Sequence, residues 1–173
     1  ENGVIVRPSY MAVCHADQRY FLGQRDAKVL RQKLPMALIH ECCGEVVSDR
    51  TGTFKPGQTV VMIPNVPPED NDGIVFENYA KGSYFLSSGH DGFMREFVEL
   101  PPDRVVAFHG VREPVAAITE FVSVGVHASA RFAAAAHARR DTIGIWGDGS
   151  LAYIVSCILK KAFPDSKLVV VGK

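Results

Sequence analysis

The chain has 173 residues, carries 19 basic and 19 acidic side chains, and is 47% hydrophobic. This composition is ordinary for a globular protein and excludes intrinsic disorder, which requires low hydrophobicity and a high net charge. The zero net charge and the lack of a Lys/Arg block argue against nucleic-acid binding, and no apolar run reaches the ~18 residues of a membrane span.

Four cysteines are present, Cys14, Cys42, Cys43 and Cys157. A secreted disulfide framework uses more cysteines in a shorter chain, and the adjacent Cys42 and Cys43 can hardly pair without strain. Reduced thiols in a cytoplasmic protein are therefore expected, and at least one of them is free to bind a metal. No signal peptide is visible, but the first residue is not Met, so we expect a part of a longer protein.

The first 108 residues are rich in short β-branched runs that turn signals such as Lys55-Pro56-Gly57 separate. Strands are predicted over residues 4–6, 44–47, 59–63 and 93–98. Several short strands at this spacing favour a small, partly open β-barrel.

The pattern becomes helical from about residue 114. A helical stretch is predicted from Glu113-Pro114 through residue 128, because Pro is favoured just inside a helix start. Residues 127–140 are Ala-rich and end in Arg139-Arg140, cations that suit a helix C-terminus.

The last 33 residues read as a βαβ unit. Strands of the buried type are predicted over 141–146 and 167–171, with a helix over 151–163 between them. A single βαβ unit cannot cover its own sheet, so we expect a first domain followed by the opening of a second. The predicted divisions are residues 1–112, 113–140 and 141–173.

The turn after the first of these strands has the G-x-G-x-x-A pattern of a dinucleotide-binding unit. Its residues are Gly147, Asp148, Gly149, Ser150, Leu151 and Ala152. Gly147 permits the tight turn, Gly149 lets a pyrophosphate approach the backbone, and Ala152 lets helix and strand pack closely. The helix N-terminus offers N–H groups and a positive dipole end to the phosphates.

The end of the second strand indicates which nucleotide binds. NAD-binding units usually carry Asp or Glu there, to hold the ribose 2′-hydroxyl. Here Gly172 leaves room for a 2′-phosphate and Lys173 can pair with it. NADP(H) is therefore predicted over NAD(H); the alternative is that Lys173 is a solvated surface residue.

A dispersed set of metal-type side chains comprises Cys14, His40 and Glu120, with Glu41 beside them. Zinc binds thiolate, imidazole and carboxylate, and a catalytic zinc keeps one position open for water or substrate. From spacing alone these residues could equally be ordinary buried polar groups.

Taken together, the motifs resemble the zinc-dependent medium-chain alcohol dehydrogenases. The first shared features are a Cys-x-x-Asp motif, here Cys14 to Asp17, and a His-Glu pair before a Gly-containing strand, here His40-Glu41. A later Glu, here Glu120, and the G-x-G-x-x-A turn at residues 147–152 complete the set. The resemblance implies a GroES-like barrel followed by a Rossmann domain. It implies catalytic zinc on Cys14, His40 and Glu120, with Glu41 as an exchangeable ligand and Asp17 orienting His40.

Within that family the chain looks like the ribulose-5-phosphate reductases. The similar strings are residues 16–21, 32–36, 83–85, 87–94 and 144–149. This likeness implies NADPH-dependent reduction of ribulose 5-phosphate to ribitol 5-phosphate for teichoic-acid or capsule precursors. It further implies a homodimer or homotetramer and a cytidylyltransferase of the same pathway as a possible partner. For the substrate phosphate, Arg19 is the first candidate and Lys33 the second.

Three departures from the family pattern stand out. Ala16 replaces the usual Ser or Thr of the proton relay, so protons must pass through water, Glu41 or another polar group. Ile39 replaces the usual Gly before His-Glu, and we expect this to affect only local packing. Residues 64–90 contain no cysteine, so no structural zinc is expected.

Other residues have plainer interpretations. Cys42, Cys43 and Cys157 are interpreted as packing residues, although Cys42 could be a stray ligand. His90 and Asp91 are expected in a turn rather than in a cleft. Two rival functions stay open, a dehydrogenase of an unphosphorylated polyol or sugar and a zinc-free, non-catalytic relative of the same fold.

Overall fold

The computed structural model of the chain describes residues 3–70, 73, 76–135 and 138–173. The chain divides into two compact units, Glu1–Glu120 and Phe121–Lys173. The finer division at residues 112 and 140 stays a prediction. Within the described ranges, no helix is both long and apolar enough to cross a bilayer.

The first unit is organised around antiparallel strands. They are β1 (Val4–Ala12), β2 (Glu41–Asp49), β3 (Thr59–Met62), β4 (Asn65–Val66), β5 (Tyr84–Phe85), β6 (Val98–Leu100) and β7 (Val105–Ala107). Five of these form one sheet in the order β6-β1-β2-β3-β7, and β4 pairs with β5. Alternation places Val4 and Val6 in the core, where they pack with Val60, Phe93 and Val98.

Two short helices, α1 (His15–Phe21) and α2 (Ala27–Lys33), follow β1 and were not predicted. A capping box starts α1, since the Cys14 thiol accepts the Ala16 N–H and the Asp17 carboxylate accepts the Cys14 N–H. The Asp26 carboxylate caps α2 by accepting the Lys28 N–H. Each helix has 7 residues, too few to show a helical hydrophobic period.

The second unit contains a parallel βαβ arrangement. Its elements are β8 (Thr142–Trp146), α5 (Ser150–Ala162) and β9 (Lys167–Val171), with α4 (Thr119–Ala135) before them. Helices α4 and α5 approach closely at Gly125, where a Cβ atom would lie 2.9 Å from the Ile158 side chain. The predicted barrel domain followed by the start of a Rossmann domain is confirmed.

The strand predicted over residues 93–98 is wrong for most of its length, because β6 begins only at Val98. The residues before it form hydrogen bonds to the segment that leads into β2. The Gly92 N–H donates to the Ala37 carbonyl and the Phe93 N–H to the Ile39 carbonyl. These bonds divert the backbone from the sheet.

The helical stretch predicted from residue 113 is divided. Helix α3 (Glu113–Ala116) ends at Ala116, whose carbonyl accepts the Thr119 hydroxyl, and α4 begins at Thr119. Helix α4 stops at Ala135, so Arg139 and Arg140 are not helical; residues 136 and 137 lie outside the described ranges. Arg140 still donates to the Ala133 carbonyl at 3.0 Å, as a C-terminal cation can.

The burial predicted for β8 and β9 is also wrong. Ile143 is buried, whereas Trp146 is 81% exposed and Val169 to Val171 are 37–48% exposed. The reason is that the sheet they form has two strands in the described residues, so neighbouring elements cover little of it.

Candidate active site

The register of β1 and β2 places the first two predicted metal ligands together. Ala12 at the end of β1 pairs with Glu41 at the start of β2. Cys14, two residues beyond Ala12, therefore lies next to His40, and its Sγ is 3.4 Å from His40 Nε2.

Four side chains converge at this point. The possible ligand atoms of Cys14, His40 and Glu41 lie within 4.8 Å of one another. Glu120, in the first turn of α4, places Oε2 at 4.0 Å from His40 Nε2. The side chains of His40 and Glu120 are only 13% and 14% exposed. The structure thus brings together all four predicted ligands, although they are distant in sequence.

The donor set and its spacing fit a zinc ion. Tetrahedral zinc with Zn–S of about 2.3 Å and Zn–N of about 2.0–2.1 Å separates the two ligand atoms by roughly 3.5 Å. The observed distance between Cys14 Sγ and His40 Nε2 agrees with this value. That these residues bind zinc remains a prediction, which this geometry supports.

Electrostatics also favour a cation here. Burial, and then the neighbouring Glu120, raise the pKa of Glu41 to about 7. Burial likewise raises the pKa of Glu120 and that of the Cys14 thiol. Buried acidic groups so close together repel one another when ionised, and a divalent cation between them removes that repulsion.

Asp17 lies behind His40, with Oδ1 at 3.6 Å from Nδ1. Its carboxylate also accepts the N–H groups of Cys14 and Ile39 and the Ser87 hydroxyl. Burial opposes ionisation of Asp17, but His40 and the N–H groups of Cys14 and Ile39 outweigh burial and hold the pKa of Asp17 below its ordinary value. Burial also opposes ionisation of His40 and so lowers its pKa, but the contact with Asp17 outweighs burial, and the pKa of His40 is raised overall. Asp17 therefore directs Nδ1 away from the candidate ligands.

Ser87 was not among the predicted site residues. It is 4% exposed, has a φ of 65°, and its hydroxyl is 3.1 Å from Asp17 Oδ1. The only signal in the sequence is its position in the string that resembles the reductases.

Ile39, which precedes His40, has a φ of 72°. This left-handed conformation favours glycine, which explains why the family pattern has Gly at this position. The departure thus affects the backbone as well as the local packing that we expected.

The other thiols play no evident part in this cluster. Cys42 and Cys43 are buried, as predicted. Burial, and then the neighbouring Cys43, raise the pKa of Cys42 to about 12, and its thiol donates to the Cys43 carbonyl instead of joining the ligand cluster. The prediction that Cys157 is a packing residue is wrong, because it lies exposed on α5.

The two candidate phosphate-binding cations have protein partners. Arg19 Nε donates to the Gln24 carbonyl at 3.2 Å, and Lys33 Nζ donates to Ser88 Oγ at 2.8 Å. His90 closes a turn, as expected, since its carbonyl accepts the Ser87 N–H. Asp91 instead connects two distant segments, because its carboxylate accepts the Ala37 N–H, 54 residues away in sequence.

The candidate nucleotide-binding turn lies between β8 and α5. Gly147 has a φ of 121°, and its N–H donates to the Val171 carbonyl. Gly149 is the N-cap of α5 without a side-chain cap, and a Cβ atom there would meet no atom within 4 Å. Open space and uncapped N–H groups fit a pyrophosphate.

The remaining motif residues surround this turn. Ser150, Leu151 and Ala152 form the first turn of α5. Asp148 Oδ2 accepts the Lys173 N–H at 3.2 Å, and a Cβ atom on Gly172 would collide with the Asp148 carboxylate. Gly172 thus permits the Asp148 side chain to lie against the end of β9.

Comparison with known proteins identifies similar sequences and structures. The model of the alcohol dehydrogenase GroES-like domain matches residues 1–110. The ribulose-5-phosphate reductase of Streptococcus pneumoniae is 58% identical over 173 residues, which cover 100% of this chain and 50% of that protein. The ribulose-5-phosphate reductase of Bacillus spizizenii is 50% identical over 171 residues, which cover 98% of this chain and 50% of that protein.

Among solved structures, that of S. aureus TarJ in complex with NADPH is similar. It has a TM-score of 0.77 and 42% sequence identity, covering 100% of this chain and 47% of TarJ. The chain spans about half the length of the curated relatives that it matches.

Proposed function

The chain belongs to the alcohol dehydrogenase family with a GroES-like domain, and from this premise we propose that the complete protein reduces ribulose 5-phosphate to ribitol 5-phosphate with NADPH. The observation that carries the proposal is the convergence of Cys14, His40 and Glu41, with Glu120 beside them. The names of the similar reductases supply the substrate, and the TarJ complex supplies the nucleotide.

Cys14, His40 and Glu120 would hold zinc, with Glu41 as an exchangeable ligand, and the bound ion supplies Lewis-acid polarisation of the substrate carbonyl. Asp17 orients the His40 imidazole through Nδ1. Ala16 has no hydroxyl to relay a proton, so we assign the protonation of the product oxygen to Glu41 or to water.

NADPH supplies the hydride. Residues 147–152 would bind its pyrophosphate at the N-terminus of α5, where Gly149 leaves the space that the phosphates need. Gly172, which has no side chain, and Lys173, which carries a cation, would accommodate the 2′-phosphate, with the Asp148 carboxylate next to them.

The wider biological setting follows from the same likeness. We propose a cytoplasmic homodimer or homotetramer that supplies ribitol 5-phosphate for teichoic-acid or capsule synthesis, with a cytidylyltransferase as the next enzyme. The phosphate of the substrate needs a cation, for which Arg19 and Lys33 are the candidates.

The decisive experiment follows NADPH oxidation by the complete protein with ribulose 5-phosphate and, separately, with unphosphorylated ribulose. We expect a strong preference for the phosphorylated sugar and loss of activity with a chelator. Equal or better use of an unphosphorylated polyol or sugar would favour the rival dehydrogenase. A protein that purifies without zinc and gains no activity when zinc is supplied would be the non-catalytic relative.

A further inference from the structure

A second polar cluster lies one helical turn along α1 from Asp17. Tyr20, Arg25, Lys33 and Ser88 form it, and we refer to them as the Tyr20 cluster. The guanidinium carbon of Arg25 is 4.6 Å from the centroid of the Tyr20 ring, and Lys33 Nζ is 2.8 Å from Ser88 Oγ. Tyr20 itself is only 5% exposed. Both cations are thus held against one buried phenol.

The two cations of the Tyr20 cluster have no carboxylate partner in the part of the chain that the structure describes. The adjacent Asp26 carboxylate instead accepts the Lys28 N–H. Arg25 Nε is buried and has no hydrogen-bond partner among the described residues. A buried, unsatisfied guanidinium N–H is costly and points to an acceptor that this chain does not supply.

The pKa of the Tyr20 phenol reflects the sign of the charges around it. Burial opposes its ionisation, but hydrogen bonds with Ser88 and Lys33 and the charges of Lys33 and Arg25 outweigh burial. The pKa of Tyr20 consequently lies below its ordinary value. The environment therefore favours a negatively charged group.

Direct contacts connect this cluster to the candidate metal site. Ser88 follows Ser87, whose hydroxyl donates to Asp17 Oδ1, and Asp17 contacts His40. Tyr20 is three residues after Asp17, a rise of about 4.5 Å along the helix.

We propose that Arg25 and Lys33, together with the Tyr20 and Ser88 hydroxyls, bind the phosphate group of the sugar substrate. Arg25 contributes paired N–H donors and Lys33 a point charge, a combination that suits a phosphate dianion. This inference rests on the proposed function. It selects Lys33, which belongs to the Tyr20 cluster, over Arg19, which does not, and it adds Arg25.

The test uses the complete enzyme with Arg25→Met and Lys33→Met, and with Lys28→Met, an exposed cation of α2, as the matched control. The measurements are kcat/KM for ribulose 5-phosphate and for unphosphorylated ribulose. Each cluster variant is expected to lose about 10- to 100-fold with the phosphorylated sugar and less than about twofold with ribulose. Lys28→Met should change neither value, and Arg25→Lys should restore part of the loss.

Two outcomes overturn the inference while leaving the proposed function intact. One is an equal loss with both substrates in correctly folded Arg25→Met and Lys33→Met, since that pattern indicates a structural role. The other is unchanged kcat/KM for the phosphorylated sugar.

If the wild-type enzyme reduces no ribulose 5-phosphate, the proposed function fails separately. Calorimetric binding of inorganic phosphate to wild type and to Arg25→Met then still decides the role of the cluster. Binding that the substitution weakens supports a phosphate site, and binding that is absent or unchanged overturns it.

Discussion

Ile39 is held in a conformation that β-branched residues rarely adopt. Its N–H donates to Asp17 and its carbonyl accepts the Phe93 N–H, so both adjoining peptides are fixed. Such a conformation costs on the order of 1–3 kcal/mol and persists only where its surroundings enforce it. The next residue is His40, so the strained backbone directly positions a candidate ligand.

This conformation predicts an unusual order of stabilities. Ile39→Ala and Ile39→Gly both remove the buried side chain, but only glycine relieves the positive φ. We expect the Gly variant to be more stable than the Ala variant by about 1–2 kcal/mol, the reverse of their usual order. Urea denaturation of both variants measures the difference, and an Ala variant that is the more stable of the two would contradict it.

Arg104 is a buried cation with a paired carboxylate. Its side chain is 8% exposed, and its two terminal nitrogens lie 2.6 and 3.1 Å from the Glu77 oxygens. The hydrogen bonds with Arg104 hold the pKa of Glu77 below its ordinary value. A depressed carboxyl pKa stabilises the fold above the unfolded pKa, and this contribution is lost as pH falls through the folded pKa.

We therefore expect Glu77→Gln to lower stability at neutral pH by about 1 kcal/mol, a modest value because the Glu77 side chain is 45% exposed and solvent screens the pair. The difference from wild type should vanish in acid, where wild type has lost the same interaction. Denaturation midpoints measured from neutral to acidic pH check this, and a constant difference at every pH would refute the assignment. Asp103→Asn is the matched control, since Asp103 also contacts Arg104 but is 64% exposed.

At the scale of elements, the pairing of β1 with β2 depends on Gly44. A Cβ atom at this position would collide with the Arg7 carbonyl oxygen and lie 2.9 Å from Val6 Cγ1. The pairing register also shifts in this part of β1, between Pro8 and Tyr10. Because this register also places Cys14 beside His40, the glycine supports the candidate site.

Gly44→Ala should therefore destabilise the protein by more than about 1–3 kcal/mol, the usual cost of overpacking, because rigid backbone blocks the added methyl group. Gly149→Ala is the matched control, since open space surrounds Gly149. It should lower stability by less than about 1 kcal/mol, the cost of a poorer N-cap residue, while weakening NADPH binding. Thermal denaturation and nucleotide titration of both variants separate the two roles, and equal destabilisation would contradict the prediction.

The elements that the sequence predicted well are those whose pattern is local. The parallel pair β8 and β9 and the helix between them follow from apolar runs and a Gly-rich turn. Helices α1 and α2 escaped prediction because the caps that start them, Cys14 and Asp26, are single side chains without a following hydrophobic period. The path of residues 92–94 depends on hydrogen bonds to residues 37–39, more than 50 positions away.

At the scale of the whole molecule, the candidate metal site joins parts of the chain up to 106 residues apart, from Cys14 to Glu120. Spacing alone did not distinguish these residues from ordinary buried polar groups, and only the family resemblance identified them as candidate metal ligands. Ser87 and Tyr20 were marked only by lying in strings that resemble the reductases, and Arg25 was not marked at all, because the significance of these residues lies in contacts that the fold creates.

Metal content follows from the same donor set. We expect one zinc ion per chain in the complete protein, and its removal by a chelator should lower the melting temperature. The physical reason is that Glu41, Glu120 and Cys14 are left buried and close together without a cation between them. Elemental analysis and thermal denaturation before and after chelation check this. Two zinc ions per chain would contradict the expected absence of a structural zinc.

Trp146, the one tryptophan among these 173 residues, immediately precedes the Gly147 turn and is 81% exposed. Its indole emission overlaps the absorption of a reduced nicotinamide, so excitation energy can transfer from this ring to a dinucleotide bound beside it. The sequence thereby contains its own optical reporter of coenzyme occupancy, which a titration can follow without any attached dye.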